Sequence, residues 1–378
     1  LLPAILWRNS VDTAKIFCVN GDYLADISAV GILDAMMGET YDYDIYPVIN
    51  AQNLVIADLP TFVSENEEEM QKRYSQSAQA VYQEIVWPSL TSIASRTGAK
   101  MTCMMTPQFT YTDEEEPDGE NVTYYLKRLK EEHAEAGLSA DSMEGIPLSE
   151  KIKQDQTFWQ TYAPSYRFLS LYADGVKSIG EKSALPAEIR TVALGSGASG
   201  QAVGYLNENV TLQPSTSSGI RHTFLDDFKV KCMETALGYS NITLDLYSVT
   251  YPEGDEDSWE KMSKKIAANL GTYWKAYEAF DATTLTESDV RIRRFLALDY
   301  KQQRAGNVIT LSLEHREDAA WFLLRLHGEK VTEVAGGSFE EIEDGVYLIL
   351  AEEDEVSVEV QTGETWQYQD GGKRGDGT

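Results

Sequence analysis

Read from its amino end, the chain alternates short apolar runs with longer amphipathic stretches. Residues 14–19, Ala-Lys-Ile-Phe-Cys-Val, stop at Asn20-Gly21-Asp22, the pattern of a buried parallel strand meeting a polar turn at its carboxyl end. Ile27, Val30, Leu33 and Met36-Met37 then recur at helical spacing as far as Gly38. Tyr43 to Ile49 reads as a strand, and about 67–96 as a long helix bent or interrupted at Pro88, because proline removes a backbone donor. Met101 to Met105 is a further strand, ending at Pro107-Gln108. Strands are expected at 189–194, 209–213 and 242–249, with helices around 122–135, 155–173 and 258–280. Such alternation predicts a parallel sheet or barrel under a helical layer.

From about Val308 the rhythm changes to short alternating strands at 308–314, 319–326, 331–334, 345–351 and 355–361, with turns at Gly336-Gly337 and Asp344-Gly345. That is the pattern of a compact β-sandwich. The expected organisation is an α/β domain over 1–303, a small β-sandwich over 304–362 and a flexible linker over 363–378. Asp113 to Glu120 reads as an acidic surface loop. Leu1 to Trp7 has neither the basic start nor the cleavage site of a signal peptide. It is read as an element entered midway, so that the natural protein would extend further upstream.

Composition narrows the function. Sixty-one Asp and Glu against 32 Lys and Arg give a formal net charge of −29, which repels nucleic acid phosphates and anionic lipid. No apolar run approaches the roughly 18 residues of a membrane span. Cys18, Cys103 and Cys232 form neither a metal spacing nor a disulfide framework, and are expected as free thiols.

Polar residues just past the carboxyl ends of parallel strands line active sites in such folds. Three places qualify here: Asn20-Gly21-Asp22, Thr106-Pro107-Gln108, and Arg221-His222-Thr223-Phe224-Leu225-Asp226-Asp227. His222 has carboxylates at i+4 and i+5, so a helical backbone would bring His222 and Asp226 to one face. With Asp22 they would make an N/O set suited to a zinc-like ion. The competing reading is that Asp226 and Asp227 simply cap the helix that follows.

Gly195 to Gly200 matches G-x-G-x-x-G, but the polar stretch behind it leaves no room for the helix and acidic strand end of a dinucleotide fold. It is read as a turn. Phe158, Trp159, Tyr162, Tyr166, Phe168 and Tyr172, and the series from Trp259 to Tyr277, are read as helical core stripes. There is no G-x-S-x-G elbow and no P-loop.

Phe17-Cys-Val-Asn20-Gly21-Asp22 resembles the opening motif of NodB-type polysaccharide deacetylases, nearest to the version in Pel exopolysaccharide deacetylases. His222-Thr223-Phe224 resembles the start of their second motif. Further stretches, among them Trp87-Pro88-Ser89, Glu135 to Ser139, Thr235 to Tyr239 and Arg291 to Tyr300, are similar to a related uncharacterised bacterial family. The resemblance implies a distorted (β/α) barrel that removes N-acetyl groups from hexosamine polymers with a divalent metal, most often zinc. Carried over by position, Asp22, His222 and Asp226 would hold the metal. Asn20 stands where the family has its base, and Asp226 where it has a second His. Asn cannot accept a proton from water, so Asp227 would have to substitute. Gln108, Arg221 and Asp245 are the expected substrate-binding residues.

Three functions follow. The first is metal-dependent deacetylation of an exopolysaccharide at an altered site. The second is non-catalytic polymer binding or scaffolding of a secretion system, where acidity suits a partly deacetylated, cationic polymer. The third is glycoside hydrolysis by paired carboxylates, Asp22 with Asp226 or Asp245, about 5–5.5 Å apart in retaining and about 6.5–9.5 Å in inverting enzymes. A polymer-modifying role would place the protein outside the cytoplasm, as part of a longer, secreted or anchored chain.

Overall fold

A computed structural model describes residues 6–12, 14–111, 116–142, 146–175, 179, 185–195, 201–274 and 279–362. Part of the acidic loop, the glycines after Gly195, Tyr277 and the expected linker lie outside these residues. The chain divides into two units, Leu1–Met36 with Val48–Leu296, and Met37–Pro47 with Ala297–Thr378.

The first unit begins with a correction. Strands β1 (Leu6–Val11) and β2 (Ala14–Val19) pair antiparallel with each other and form a two-stranded sheet of their own. Their residues are exposed or half-buried. A six-residue run containing Lys15 looked like a core strand, but its neighbour carries Arg8, Asn9 and Ser10, and a sheet with such a partner stays wet.

The strand β3 (Tyr43–Val48) belongs to the second unit. The sheet of the first unit is opened instead by β4 (Ala51–Ala57), every residue of which is buried. It continues through β5 (Met101–Met105), β6 (Glu135–Ser139), β7 (Ser170–Ala173) and β8 (Thr191–Leu194), all parallel. Beyond β8 come β10 (Thr211–Pro214) and then β9 (Gly204–Tyr205), and on the far side of β4 come β12 (Tyr239–Asp245) and then β11 (Ser217–Ser218), with the short β13 (Ala282–Thr283) also on β4. β10 pairs parallel with β8, while β11 pairs parallel with β12, which pairs with β4.

One stretch of chain, 211–218, therefore joins the two ends of the sheet. Side chains confirm the curl. Asn53 of β4 donates through Nδ2 to Gln213 Oε1 of β10 at 3.0 Å, although β5 to β8 lie between them in strand order. Gln213 Nε2 in turn reaches Thr191 Oγ1 of β8 at 2.8 Å. Val55, Ala57, Met104, Tyr172, Ala193 and Leu285 cluster together. The alternate residues Leu54, Ile56, Cys103 and Met105 pack with the helices. This is the period-two split of strands covered on both faces.

The helices differ from the expected ones where the backbone has a reason to break. The stretch 67–97 is interrupted at 75–77, where Ser75 takes a left-handed conformation. A π-helical turn, Tyr82–Val86, then precedes Trp87–Thr97. Pro88 comes just after that π turn, and the widened turn accommodates the backbone donor that proline lacks. The expected helix 155–173 is two elements, Leu148–Tyr162 and β7, so Tyr172 lies on a strand rather than on an aromatic helix stripe.

The second unit packs two antiparallel sheets. It adds β14 (Asp299–Ala305), β15 (Val308–Glu314), β16 (Ala320–Leu326), β17 (Glu329–Ala335), β18 (Gly337–Glu343), β19 (Val346–Ala351) and β20 (Glu355–Thr362). The orders are β14-β15-β20-β17 and β18-β19-β16-β3. Ile45, Ile309, Leu311, Phe322, Leu324, Ile349, Val356 and Val358 form its core. Strand β3 supplies Ile45 from a distant part of the chain.

Candidate functional site

Four aspartates stand at or just past the carboxyl ends of four strands of the curled sheet: Asp58 after β4, Asp141 after β6, Asp174 after β7, and Asp245 closing β12. Each end is fixed by buried apolar strand residues on its amino side, so the carboxylates share one mouth. Asp58 is buried, and Ser139 Oγ donates to its Oδ1 at 2.7 Å. Asp141 N–H donates to the same Ser139 oxygen at 3.1 Å. The serine thus ties the position of Asp141 to that of Asp58. Asp174 N–H points at Asp141 Oδ1, at 3.4 Å, and Tyr247 N–H holds Asp245 Oδ1 at 2.9 Å.

Crowded carboxylates out of water cannot all ionise. Burial, reinforced by Asp141 and Asp245, lifts Asp58 well above the carboxylate range, against the Ser139 hydroxyl and the Lys151 charge. Burial, then the charge of Asp174, pushes Asp141 up to about 7. Asp245 is also raised by lost hydration, with the Tyr247 N–H and Arg221 opposing. Its side chain nonetheless meets solvent, as for a carboxylate in an open recess with protein on its sides.

Beside the mouth lies a buried cation. Lys151, on the helix Leu148–Tyr162, is 0% exposed. Its Nζ donates to Thr106 Oγ1 at 3.0 Å, to Asp155 Oδ2 at 2.9 Å and to the Tyr111 hydroxyl, which itself donates to Asp155 Oδ1 at 2.8 Å. Three donors meet three acceptors, so this ammonium is a fixed charge and not a nucleophile.

The residues singled out from sequence fall into two groups. Gln108 and Asp245 do lie at the carboxyl ends of sheet strands, and Arg221 follows β11 with its charge felt by Asp245. Gln108 Oε1 is buried with no hydrogen-bond partner among the described residues. Asn20 and Asp22 are exposed and follow the isolated hairpin, not the curled sheet.

Asp226 is engaged in a capping box: its Oδ2 accepts from Thr223 N–H at 2.8 Å and from Thr223 Oγ1 at 2.6 Å. Asp227 pairs with Lys231 at 2.9 Å. His222 Nδ1 meets Ser217 Oγ at 2.7 Å, and burial lowers its pKa although Asp226 and Asp227 oppose it. Among the described residues no group of three or more His, Cys, Asp or Glu side chains is placed to hold a metal ion. The expected ligands Asp22, His222 and Asp226 do not form such a group among the described residues, and Asp226 is engaged by Thr223.

Sequence reading passed over Asp58, Asp141, Asp174 and Lys151, and took Tyr172 for part of a helical core stripe. A signal was present: Ile56-Ala57-Asp58, Ser139-Ala140-Asp141 and Tyr172-Ala173-Asp174 each end a buried run in Ala-Asp.

A family model described as an uncharacterised protein conserved in bacteria (DUF2194) matches residues 3–144. No curated protein matches the chain. Among solved structures, it is similar to a Mycobacterium smegmatis protein described as a polysaccharide deacetylase, at 8% identity over 64% of this chain and 90% of that one, with a TM-score of 0.37. A Parabacteroides distasonis protein described as a glycoside hydrolase/deacetylase is similar at 11% identity over 74% and 82%, also with a TM-score of 0.37. An endo-β1,6-glucanase is similar at 9% identity over 91% and 90%, with a TM-score of 0.34. Identities and scores this low leave function to the geometry of the chain itself.

Proposed function

We propose that the chain is a glycan-acting hydrolase, a glycosidase on a distorted barrel, whose reaction centre is the ring of strand-end carboxylates. One observation carries this: Asp58, Asp141, Asp174 and Asp245 project from four strands of one curled parallel sheet at the same end. That end is where parallel folds keep their chemistry.

Glycoside hydrolysis needs one carboxylic acid that is protonated and one carboxylate that is not. Asp141, pushed up to about 7, carries the proton to the leaving glycosidic oxygen. Asp245, solvent-exposed and held by the Tyr247 N–H with the Arg221 charge opposing the upward pull of burial, is assigned the carboxylate role, to attack the anomeric carbon or to take a proton from water. The C–O bond breaks, and one water supplies hydroxyl to the anomeric carbon and hydrogen to the leaving oxygen. Gln108, with its unpartnered buried oxygen, and Arg221 flank the sugar. The proposed substrate is a polysaccharide, and an extracellular polymer of that kind would put the action outside the cytoplasm.

The test is reducing-end release from β1,3-, β1,4- and β1,6-linked oligosaccharides, with acetate release from acetylated hexosamine oligomers measured beside it. Asp141→Asn and Asp245→Asn are expected to lose roughly 10²–10⁴-fold or more of any cleavage. Acetate release without cleavage would replace this reading by deacetylation. Binding without either product would leave a polymer-binding role.

A further inference from the structure

The mouth contains a polar group that the proposed reaction does not use. Tyr172 is 2% exposed, and its ring packs with Val55, Ala57, Met104 and Ala193 inside the curl. Its hydroxyl feels Asp141, Asp245, Asp58 and Asp174, so it points to the carboxylate end. Among the described residues that hydroxyl has no hydrogen-bond partner, so it is available to a ligand at the mouth. Asp174, two residues on and exposed, likewise has no partner for its carboxylate.

Gly195, at the end of the neighbouring β8, explains how both groups reach this point. A Cβ there would fall 2.7 Å from the Tyr172 hydroxyl and 2.7 Å from Asp174 Oδ1. Any side chain would push one of them away. The two polar groups therefore crowd against one bare stretch of backbone, no more than twice that distance from each other, without bonding to each other.

We infer that the Tyr172 hydroxyl and the Asp174 carboxylate, brought together over Gly195, form a hydroxyl-recognising subsite for an uncharged sugar ring. The inference rests on the glycan reading above and adds a substrate class to it. Tyr172 offers a donor to a ring or hydroxyl oxygen, and Asp174 an acceptor to a hydroxyl hydrogen. A uronate carboxylate placed here would meet the like charge of Asp174 itself and of Asp245, which acts on the same hydroxyl. Neutral glycans are admitted and polyuronates refused.

Calorimetry at pH 7 tests this in an Asp141→Asn background, where the probe survives. The probes are cellotetraose, laminaritetraose, gentiotetraose and chitotetraose, with tetragalacturonate as the charged counterpart. At least one neutral tetrasaccharide is expected to bind, tetragalacturonate not to bind, and Tyr172→Phe to weaken the neutral probe by tenfold or more. Gly195→Ala removes no polar group yet should weaken it similarly, and Asp174→Asn provides a surface variant should the buried changes unfold the chain. Equal affinity with Tyr172→Phe, or tight binding of tetragalacturonate, would overturn the subsite while leaving the glycan reading intact. Failure of every probe to bind would take down both.

Discussion

Replacing Glu234 by Gln should convert a pH-dependent weakness of the first unit into a flat profile. Glu234 lies on the inward face of the helix Phe224–Leu237, is fully buried, and its Oε1 accepts from Gln52 Nε2 of β4 at 3.1 Å. Burial raises its pKa from 4.5 to about 7, against the Ser240 and Gln52 hydrogen bonds. The folded state therefore holds this proton more tightly than the unfolded chain. Its contribution to stability is fully present below pH 4.5, declines as pH rises, and above pH 7 the whole penalty stands. At about 1.4 kcal/mol per pKa unit, the shift is worth about 3 kcal/mol, or more than two orders of magnitude in the unfolding constant.

Gln has the shape of the protonated acid and supplies the donor that a carboxylate lacks, beside the buried and unpartnered Oε1 of Gln52. Urea unfolding of the wild type and Glu234→Gln at pH 4.5, 6 and 8 isolates the effect, since the other raised carboxylates are common to both proteins. The two should be nearly equal at pH 4.5, with the variant ahead by about 3 kcal/mol at pH 8. Parallel curves across that range would refute a buried, proton-holding Glu234.

Other perturbations follow the same logic. Lys151→Met strands the buried Asp155 carboxylate and should cost on the order of 3–5 kcal/mol, read by denaturant midpoint, with Lys151→Met/Asp155→Leu recovering much of it. If Asp141 is the proton donor, the rate of glycan cleavage should fall on an alkaline limb near pH 7, since its raised pKa of about 7 means that the acid form is lost there; a flat rate to pH 9 argues against the role. If the carboxylates act alone, exhaustive dialysis against a chelator should leave cleavage unchanged; loss restored by zinc would favour a metal-dependent reaction instead. Thr223→Ala removes the capping box at Asp226 and should cost about 1 kcal/mol by thermal unfolding, while cleavage stays as in the wild type.

Local pattern made the strand–helix rhythm and the β-sandwich visible, because burial on both faces or on one leaves its period in the sequence. It misplaced the opening of the sheet. Ala14–Val19 is richer in apolar residues than its location requires. The strand that does open the sheet, Ala51–Ala57, carries Gln52 and Asn53, which look like surface residues. They are buried because the curl lets Asn53 bond Gln213 and Ser288 across its interior, and because Gln52 meets Glu234 on a helix. Polar residues satisfied by partners roughly 160–235 positions away carry no local signature. The same long reach brought β3 into the second unit.

The candidate site was obscured for a related reason. His222, Asp226 and Asp227 drew notice because they are close in sequence, and that closeness is what makes them a helix cap: a carboxylate three residues past Thr223 bonds its backbone before it can serve anything else. Asp58, Asp141, Asp174 and Asp245 are far apart in sequence and share only their relation to a strand end. A parallel sheet turns that relation into proximity, since each crossover returns the chain to the same edge. Burial, and then the charge of a neighbouring carboxylate, keeps a proton on Asp141 to about pH 7. For such a site, the register of strand ends is more informative than the spacing of reactive residues. By that measure Ala-Asp after a buried run, repeated on three strands, is the sequence signal that counts.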